Sequence, residues 1–229
     1  MIQPLVSETE WLDALSSSPL WDPPKLPMLI VAPHPDDETL GAGGLIAAQS
    51  SRGINILVAA VTDGERAYPD APGLAQLRQT EQTEALARLG VSSDRIVRFG
   101  LPDSDVASRE DQLVERLAPL VSENTHVIAP WSGDFHPDHQ ACGRSSEQVA
   151  RKAGALLTSY FFWTWHFGKL ADLHGLSLRR FALTPTLLRA KTDALQCHQS
   201  QLMREGEEPV LTELLLRPAK RPFELFAIA

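Results

Sequence analysis

Only two cysteines, Cys142 and Cys197, occur in the 229 residues. Nothing requires a disulfide, and the pair reads as free thiols of a reducing compartment. Positive charge is also in short supply. Twenty-one Lys and Arg face 29 Asp and Glu, a net charge of −8 at pH 7. That balance, with a pI of about 5.4, excludes the basic footprint that nucleic acid or an anionic membrane surface needs. No stretch approaches the roughly 20 apolar residues of a membrane helix. The N-terminal Met1–Glu10 lacks the basic start and apolar run of a signal peptide, so a cytoplasmic protein is expected. No internal repeat, low-complexity segment or obvious linker is found.

What is present is ordinary for a globular chain: 43% hydrophobic and 22% charged residues,. The length suits one α/β domain with a real core and would be cramped for two. The expected boundary is therefore 1–229. Residues 1–26 read as an amphipathic lead-in with Trp11, Leu12, Leu15 and Leu20 as candidate packing residues, and Pro23-Pro24 breaks the chain. Pro27–Ala32 is a short apolar run that reads as a buried parallel strand. Helices are then expected over 38–52, 74–89, 108–122 and 137–153, and strands over 54–61, 96–99 and 126–130. This alternation predicts an α/β, Rossmann-like, mostly parallel sheet flanked by helices. Later, Tyr160–Trp165 is strand-like, Arg179–Leu183 is a candidate strand, 185–203 reads as one helix and Phe223–Ala229 as a closing strand.

Two motifs carry the chemistry. Val31-Ala-Pro-His-Pro-Asp-Asp-Glu38 lies where the first strand ends and a helix begins, the edge at which open α/β sheets bind ligands. Its crowded carboxylates raise one another's pKa unless a cation or proton holds them. Asp36 or Asp37 as a helix N-cap explains one or two acids, but not His34 placed just before them. Gly41, Gly43 and Gly44 follow in the first turns of the helix. Each glycine costs about 1 kcal/mol there relative to alanine, which points to close packing of helix against strand. A dinucleotide fingerprint fails on spacing, since Gly41-Ala-Gly-Gly44 lacks G-x-G-x-x-G.

The second motif, His136-Pro-Asp-His139, follows the strand Val127–Trp131. Pro137 suits the first helical position, and His136 and His139 fall on one helix face. As surface polar residues each histidine alone would need no further account. Both motifs, however, sit at strand ends on one side of a parallel sheet. Two histidines and a carboxylate around an open position is how catalytic zinc sites are built.

Ala32–Glu38 and His136–His139 resemble the two signature motifs of the PIG-L/LmbE-like zinc-dependent N-deacetylases. Val61–Glu65, Arg78–Glu81, Gly100–Asp103 and the late Lys191…His198-Gln-Ser-Gln201 resemble the family's intermediate segments. The resemblance implies a Rossmann-like fold and one Zn²⁺ held by His34, Asp37 and His139. It implies Asp36 as general base, His136 as the group that stabilises the oxyanion or helps protonate the amine, and Asp138 as the residue that orients a histidine, His136 first. It implies amino-sugar or glycoconjugate substrates carrying N-acetyl or another N-acyl group. Some members carry a tyrosine two residues before the first histidine of the second motif; Asp134 stands there in this chain, with Phe135 beside it, so no tyrosine-assisted step is carried over.

In such chemistry zinc polarises the amide carbonyl and lowers the pKa of water to about 7. A protonated His136 would oppose the oxyanion, and either Asp36 or His136 would protonate the amine. By resemblance Arg78 grips a substrate oxygen, although a solvated helix arginine is the plainer account. Asp103 and Asp63 are loop candidates for sugar hydroxyls, or turn residues beside Pro102 and Gly64. Cys142 and His198 are weaker candidates as a soft ligand and a supporting histidine, and Trp163, Trp165 and His166 line a sugar pocket or pack the core. Hydrolysis of another bond, such as a phosphoester, and a non-catalytic nucleotide-binding α/β domain stay open as alternatives. A small-molecule substrate is the expected partner, and the acidic surface is compatible with a monomer or a homo-oligomer.

Overall fold

The computed structural model describes residues 3–68, 71–204, 206 and 208–228. Seven strands, β1 (Met28–Ala32), β2 (Ile56–Ala60), β3 (Ile96–Arg98), β4 (His126–Pro130), β5 (Leu156–Tyr160), β6 (Leu178–Ala182) and β7 (Phe223–Ile228), form one sheet in the order β3-β2-β1-β4-β5-β7-β6. β1 to β5 are parallel; β7 runs antiparallel to β5, and β6 antiparallel to β7. The helices are α1 (Glu8–Leu15), α2 (Asp37–Ser51), α3 (Leu74–Arg88), α4 (Glu110–Leu117), α5 (Pro137–Ala153), α6 (Thr164–Phe167), α7 (Pro185–Leu195), α8 (Gln199–Leu202) and α9 (Glu213–Leu216). The chain leaves β1 for β2 on one side and returns to place β4 on the other. The carboxyl ends of β1 and β4 therefore flank the switch point where a ligand crevice forms in such sheets.

Alternation along β1 divides the core. Met28, Ile30 and Ala32 face one cluster with Leu45, Ile46 and Leu86. Leu29 and Val31 face the other with Leu113, Leu117 and Ala141, as the two-residue period of a strand requires. A third cluster joins Trp11 and Leu15 of α1 to Phe161, Trp165 and Leu225. Trp11 stacks edge-on to Trp165 at 5.2 Å. Leu12 and Leu20, expected to pack, are instead exposed.

The glycines of α2 have a physical account. A Cβ on Gly41 would overlap the Tyr160 ring, and one on Gly44 would overlap the Leu183 side chain. α2 thus lies directly on β5 and the strand-end segment after β6. Glu224 of β7 accepts the backbone N–H groups of Gly44 (2.7 Å) and Leu45 (2.8 Å), and Lys191 of α7 donates to both Glu224 (2.7 Å) and Leu40 O (2.8 Å). A buried ion pair is stitched into the backbone of the helix that starts at the site.

Three expected elements differ. The aromatic stretch 160–165 is not a strand: β5 ends at Tyr160 and the chain turns into α6. The Asp134 carboxylate accepts the N–H groups of Trp163 (3.1 Å) and Thr164 (2.6 Å), which pins this turn. The helix expected over 185–203 breaks after Leu195. Ser200 donates through its N–H (2.7 Å) and hydroxyl (2.6 Å) to Glu81 of α3, so tertiary bonds draw the chain out of line. The helix expected over 108–122 is regular only over α4, with 3₁₀ turns at Val106–Arg109 and Ala118–Leu120 on either side. Ala229, the expected last residue of the closing strand, lies outside the described residues.

Candidate metal centre

The loop after β1 builds the first half of the site. The His34 N–H donates to Asp37 Oδ2 at 2.9 Å, and the Asp36 carbonyl accepts from Thr39 N (2.9 Å) and Leu40 N (2.8 Å), starting α2. Asp36 holds φ at 139°, a region that costs a non-glycine residue on the order of 1–3 kcal/mol. Such strain persists only where surrounding contacts impose it, and here it folds three acids and an imidazole into one tight turn.

The loop after β4 supplies the second half. His136 is the N-cap of α5, and its Nδ1 accepts the Asp138 N–H at 3.2 Å. His139, fully buried one turn on, reaches across to the first motif. His34 Nδ1 and His139 Nε2 each lie 3.1 Å from the same oxygen, Asp37 Oδ2. Ligand atoms of His34, Asp37 and His139 all fall within 4.8 Å of one another.

His34, His136 and Asp138 form a second such grouping, but its atoms are committed elsewhere. Asp138 accepts the N–H groups of Ser104 (2.8 Å) and Val106 (3.1 Å) and faces His34 Nε2 at 3.1 Å. Asp103 Oδ1 stands 3.3 Å from that same nitrogen. Two carboxylates at Nε2 favour a proton there, which leaves Nδ1, the nitrogen facing Asp37, as the one that would ligate an ion. His139 is backed in the same way, with Nδ1 2.9 Å from Asp134 Oδ2. A carboxylate behind each ligating imidazole is the usual supporting arrangement of metal sites. Neither buried ring nitrogen of His139 makes an aligned hydrogen bond, and a cation would satisfy Nε2, the one that faces Asp37. The residues fit a metal ion.

The electrostatics agree. Burial alone would lower the His34 pKa, but Asp103, Asp138 and Asp37 push it well above the ordinary range. Burial opposes protonation of His139 too, yet Asp37 and Asp134 raise it to about 9. Burial would raise Asp37, but His139 and His34 hold it well below the usual carboxylate range. The cluster demands positive charge. A divalent cation would supply it, displacing protons from the ligands as it binds. Asp36 behaves oppositely: burial first, then neighbouring Asp37, lift its pKa well above normal against the pull of Arg78 and His34.

His136 departs from the expected protonated form. Burial, with His34 and His139 nearby, lowers its pKa to about 4. A neutral ring accepting at Nδ1 carries its proton on Nε2 and remains a donor. The Asp138 carboxylate also departs from expectation, since it meets the His34 ring; His136 is held by the Asp138 backbone and by Trp163, stacked on it at 5.7 Å and 19°.

A cavity of about 200 Å³ opens beside these groups, lined by His34, Asp36, Asp37, Arg78, Asp103 and His136 among others. Arg78 is buried and donates through Nη1 to Gly64 O at 2.9 Å, while Nε and Nη2 have no partner. A Cβ on Gly64, whose φ is +64°, would overlap Arg78 Nη1; glycine there makes room for the guanidinium. Asp103 also accepts the Arg66 N–H at 2.9 Å.

Asp63 lies outside the lining, 3.9 Å from Arg98. Cys142 is buried in the core and belongs to neither metal-competent grouping. His198 is buried with both ring nitrogens unpartnered, its pKa lowered to about 3 by burial and Arg78. The late aromatic cluster divides: Trp163 lines the cavity, and Trp165 packs under α1. Sequence reasoning missed Asp134 as the partner of His139, because it was judged only against a tyrosine, and missed Phe162, Gln201, Val210 and Leu211 as lining residues.

Fold and geometry define a Rossmann-like α/β protein with a metal-competent His–Asp–His cluster at the sheet's switch point. The family model described as PIG-L, GlcNAc-PI de-N-acetylase, matches residues 29–150, and the chain belongs to this family. It is 30% identical over 132 residues to the probable N-acetyl-alpha-D-glucosaminyl L-malate deacetylase 2 of Bacillus subtilis (strain 168), covering 52% of this chain and 58% of the relative. It is 29% identical over 151 residues to the diacetylchitobiose deacetylase of Thermococcus kodakarensis, covering 62% of this chain and 55% of that one. The matches thus span little more than half of these relatives' length. Among solved structures, the N,N'-diacetylchitobiose deacetylase from Pyrococcus horikoshii superposes with a TM-score of 0.70 at 20% identity, covering 98% of this chain and 94% of the other.

Proposed function

We propose that the protein is a zinc-dependent hydrolase that removes an N-acetyl or other N-acyl group from an amino sugar or glycoconjugate. The observation that carries this reading is the pair of imidazole nitrogens converging on one Asp37 oxygen, each ring backed by its own carboxylate. Relatives named as deacetylases of N-acetylglucosamine-containing compounds support the substrate class. His34, Asp37 and His139 would hold the ion. When bound, zinc polarises the amide carbonyl and lowers the pKa of water to about 7.

The protein's own groups supply the rest. Asp36 lines the cavity beside the ligand set, and its raised pKa suits a base that takes a proton from water and keeps it long enough to pass to the departing amine,. His136, neutral and protonated on Nε2, donates a hydrogen bond to the oxygen on which charge grows. Its ring is fixed by the Asp138 N–H on one edge and the Trp163 face. On the same cavity lining, Arg78 has two unused donors for substrate oxygens and Asp103 offers an acceptor. Phosphoester sites commonly use two metal ions; the two metal-competent groupings of the described residues share His34, so they are not two independent ligand sets.

We place the whole 1–229 chain in one catalytic unit acting in the cytoplasm. Among the described residues no helix is long and apolar enough to cross a membrane. Incubation of the zinc-loaded protein with N-acetyl amino sugars, with free amine as the readout, tests the reading. Amine release that stops on chelation supports it, and release from none of the amides sinks it.

A further inference from the structure

Part of the cavity lining carries no metal-binding or proton-carrying side chain. Ala67, Gln201, Val210 and Leu211 belong to it. They come from two places far apart in the sequence, the loop after β2 and the segment from α8 to α9. The bonds that join these places converge on Tyr68, the neighbour of Ala67. Its hydroxyl donates to Ser200 O at 3.0 Å and accepts the Val210 N–H at 3.2 Å. The Leu211 N–H donates to Gln201 O at 2.9 Å and continues the seam.

The anchor of this seam is also part of the site. Ser200 is fastened through its N–H and hydroxyl to Glu81. Glu81 stands one turn from Arg78 on the same face of α3, and Arg78 lines the cavity. Two guanidiniums lie over the Tyr68 ring, with Arg78 Cζ at 5.9 Å and Arg204 Cζ at 4.0 Å from its centroid. Such cation–π contacts hold the ring and aim its hydroxyl. A tyrosine that only filled space could as well be phenylalanine. Here the hydroxyl serves as both donor and acceptor, on partners 132 and 142 positions away.

We infer that Tyr68 is a specificity-determining residue that acts through the cavity wall. Its hydroxyl latches Val210 and Leu211 in place, and that wall binds the part of the substrate away from the reacting amide. The inference rests on the amide-hydrolase reading for its choice of substrate, while the latch itself can be measured without turnover. The Val210 and Leu211 side chains neither titrate nor ligate. Loosening them removes binding shared by the ground state and the transition state, which raises KM and leaves kcat unchanged.

Tyr68→Phe keeps the ring and removes only the hydroxyl. With the methyl glycoside of N-acetylglucosamine and the zinc-loaded variant, KM should rise at least about fivefold, the order set by the net worth of one or two hydrogen bonds. Both kcat and zinc affinity should stay within about twofold of wild type. Ser200→Ala keeps the carbonyl acceptor and gives up one bond to Glu81, so it should raise KM less. Hydrogen exchange followed by NMR needs no activity: the Val210 amide should exchange at least about tenfold faster in Tyr68→Phe, while the amides of β4 keep their rates. An unchanged Val210 exchange rate overturns the latch. Faster exchange with an unchanged KM overturns the specificity role, as does a fall in kcat at constant KM. If the wild type releases amine from no amide, the hydrolase reading fails by itself, and calorimetry with the same glycoside decides the inference: weaker binding to Tyr68→Phe upholds it, and equal binding overturns it.

Discussion

Asp134→Asn is the most informative single change, because it alters one charge and almost no volume. The carboxylate is fully buried. Its Oδ1 accepts from the Thr164 N–H and hydroxyl, both at 2.6 Å, and its Oδ2 accepts the Trp163 N–H at 3.1 Å while standing 2.9 Å from His139 Nδ1. An amide has only one acceptor oxygen. If that oxygen keeps the two Thr164 bonds, the –NH₂ faces His139 and favours the tautomer protonated on Nε2, the nitrogen that must ligate. Loss of such a supporting carboxylate costs about 10–100-fold in metal affinity, or about 1.4–2.8 kcal/mol. The displaced Trp163 N–H adds a stability loss of about 1–3 kcal/mol for an unsatisfied buried group. Competition against a chromogenic zinc chelator measures the first, and thermal melting of metal-free protein the second. A folded Asp134→Asn protein that binds zinc within about threefold of wild type would refute the reasoning.

Other expectations follow from the same contacts. Asp36→Asn should bind zinc normally yet lose about 10²–10⁴-fold in kcat for amide hydrolysis, the usual worth of a general base; near-normal turnover in a steady-state assay would remove Asp36 from that role. Lys191→Met leaves the Glu224 charge buried and unpaired, which should destabilise by about 3–5 kcal/mol and lower the melting temperature by about 6–20 °C, whereas adding Glu224→Gln should recover part of the loss. His126 is buried against Thr158 at 2.8 Å with its pKa lowered by burial to about 4. Its folded pKa lies below the unfolded value of about 6.5, so its contribution is complete above that pH and is lost as pH falls toward 4, about 2–3 kcal/mol by pH 4.5. Melts of His126→Gln and wild type between pH 7.5 and 4.5 should converge by that amount, and parallel curves would refute it.

The parallel half of the fold was legible because its signals are local. β4 and α5 occupy the expected residues, His126–Pro130 and Pro137–Ala153, since apolar runs, Pro137 and the left-handed Gly154 mark their ends directly. The second half was less legible because distant residues decide it. The turn at Trp163–Thr164 depends on Asp134, some 30 positions earlier, and the break after α7 depends on Glu81, more than 100 positions earlier. The candidate metal ligands were visible as two motifs because each motif is contiguous. What the motifs do not encode is which carboxylate stands behind which ring. Asp138 serves His34 on the other motif, and Asp134 serves His139, pairings that exist only once β1 and β4 lie side by side. The cavity's apolar wall combines Ala67, Phe162 and Val210 from three separate segments, and no sequence period links them.

Metal dependence is the most direct test of the site. Chelator-treated protein titrated with zinc, with amine release from an N-acetyl amino sugar followed at each addition, should recover activity linearly and reach its plateau at one equivalent per chain. The same titration of His139→Ala should recover none at that ratio. Activity that survives chelation in the wild type, or a His139→Ala protein that regains full activity with one equivalent, would contradict the assignment of His34, Asp37 and His139 as the catalytic zinc site.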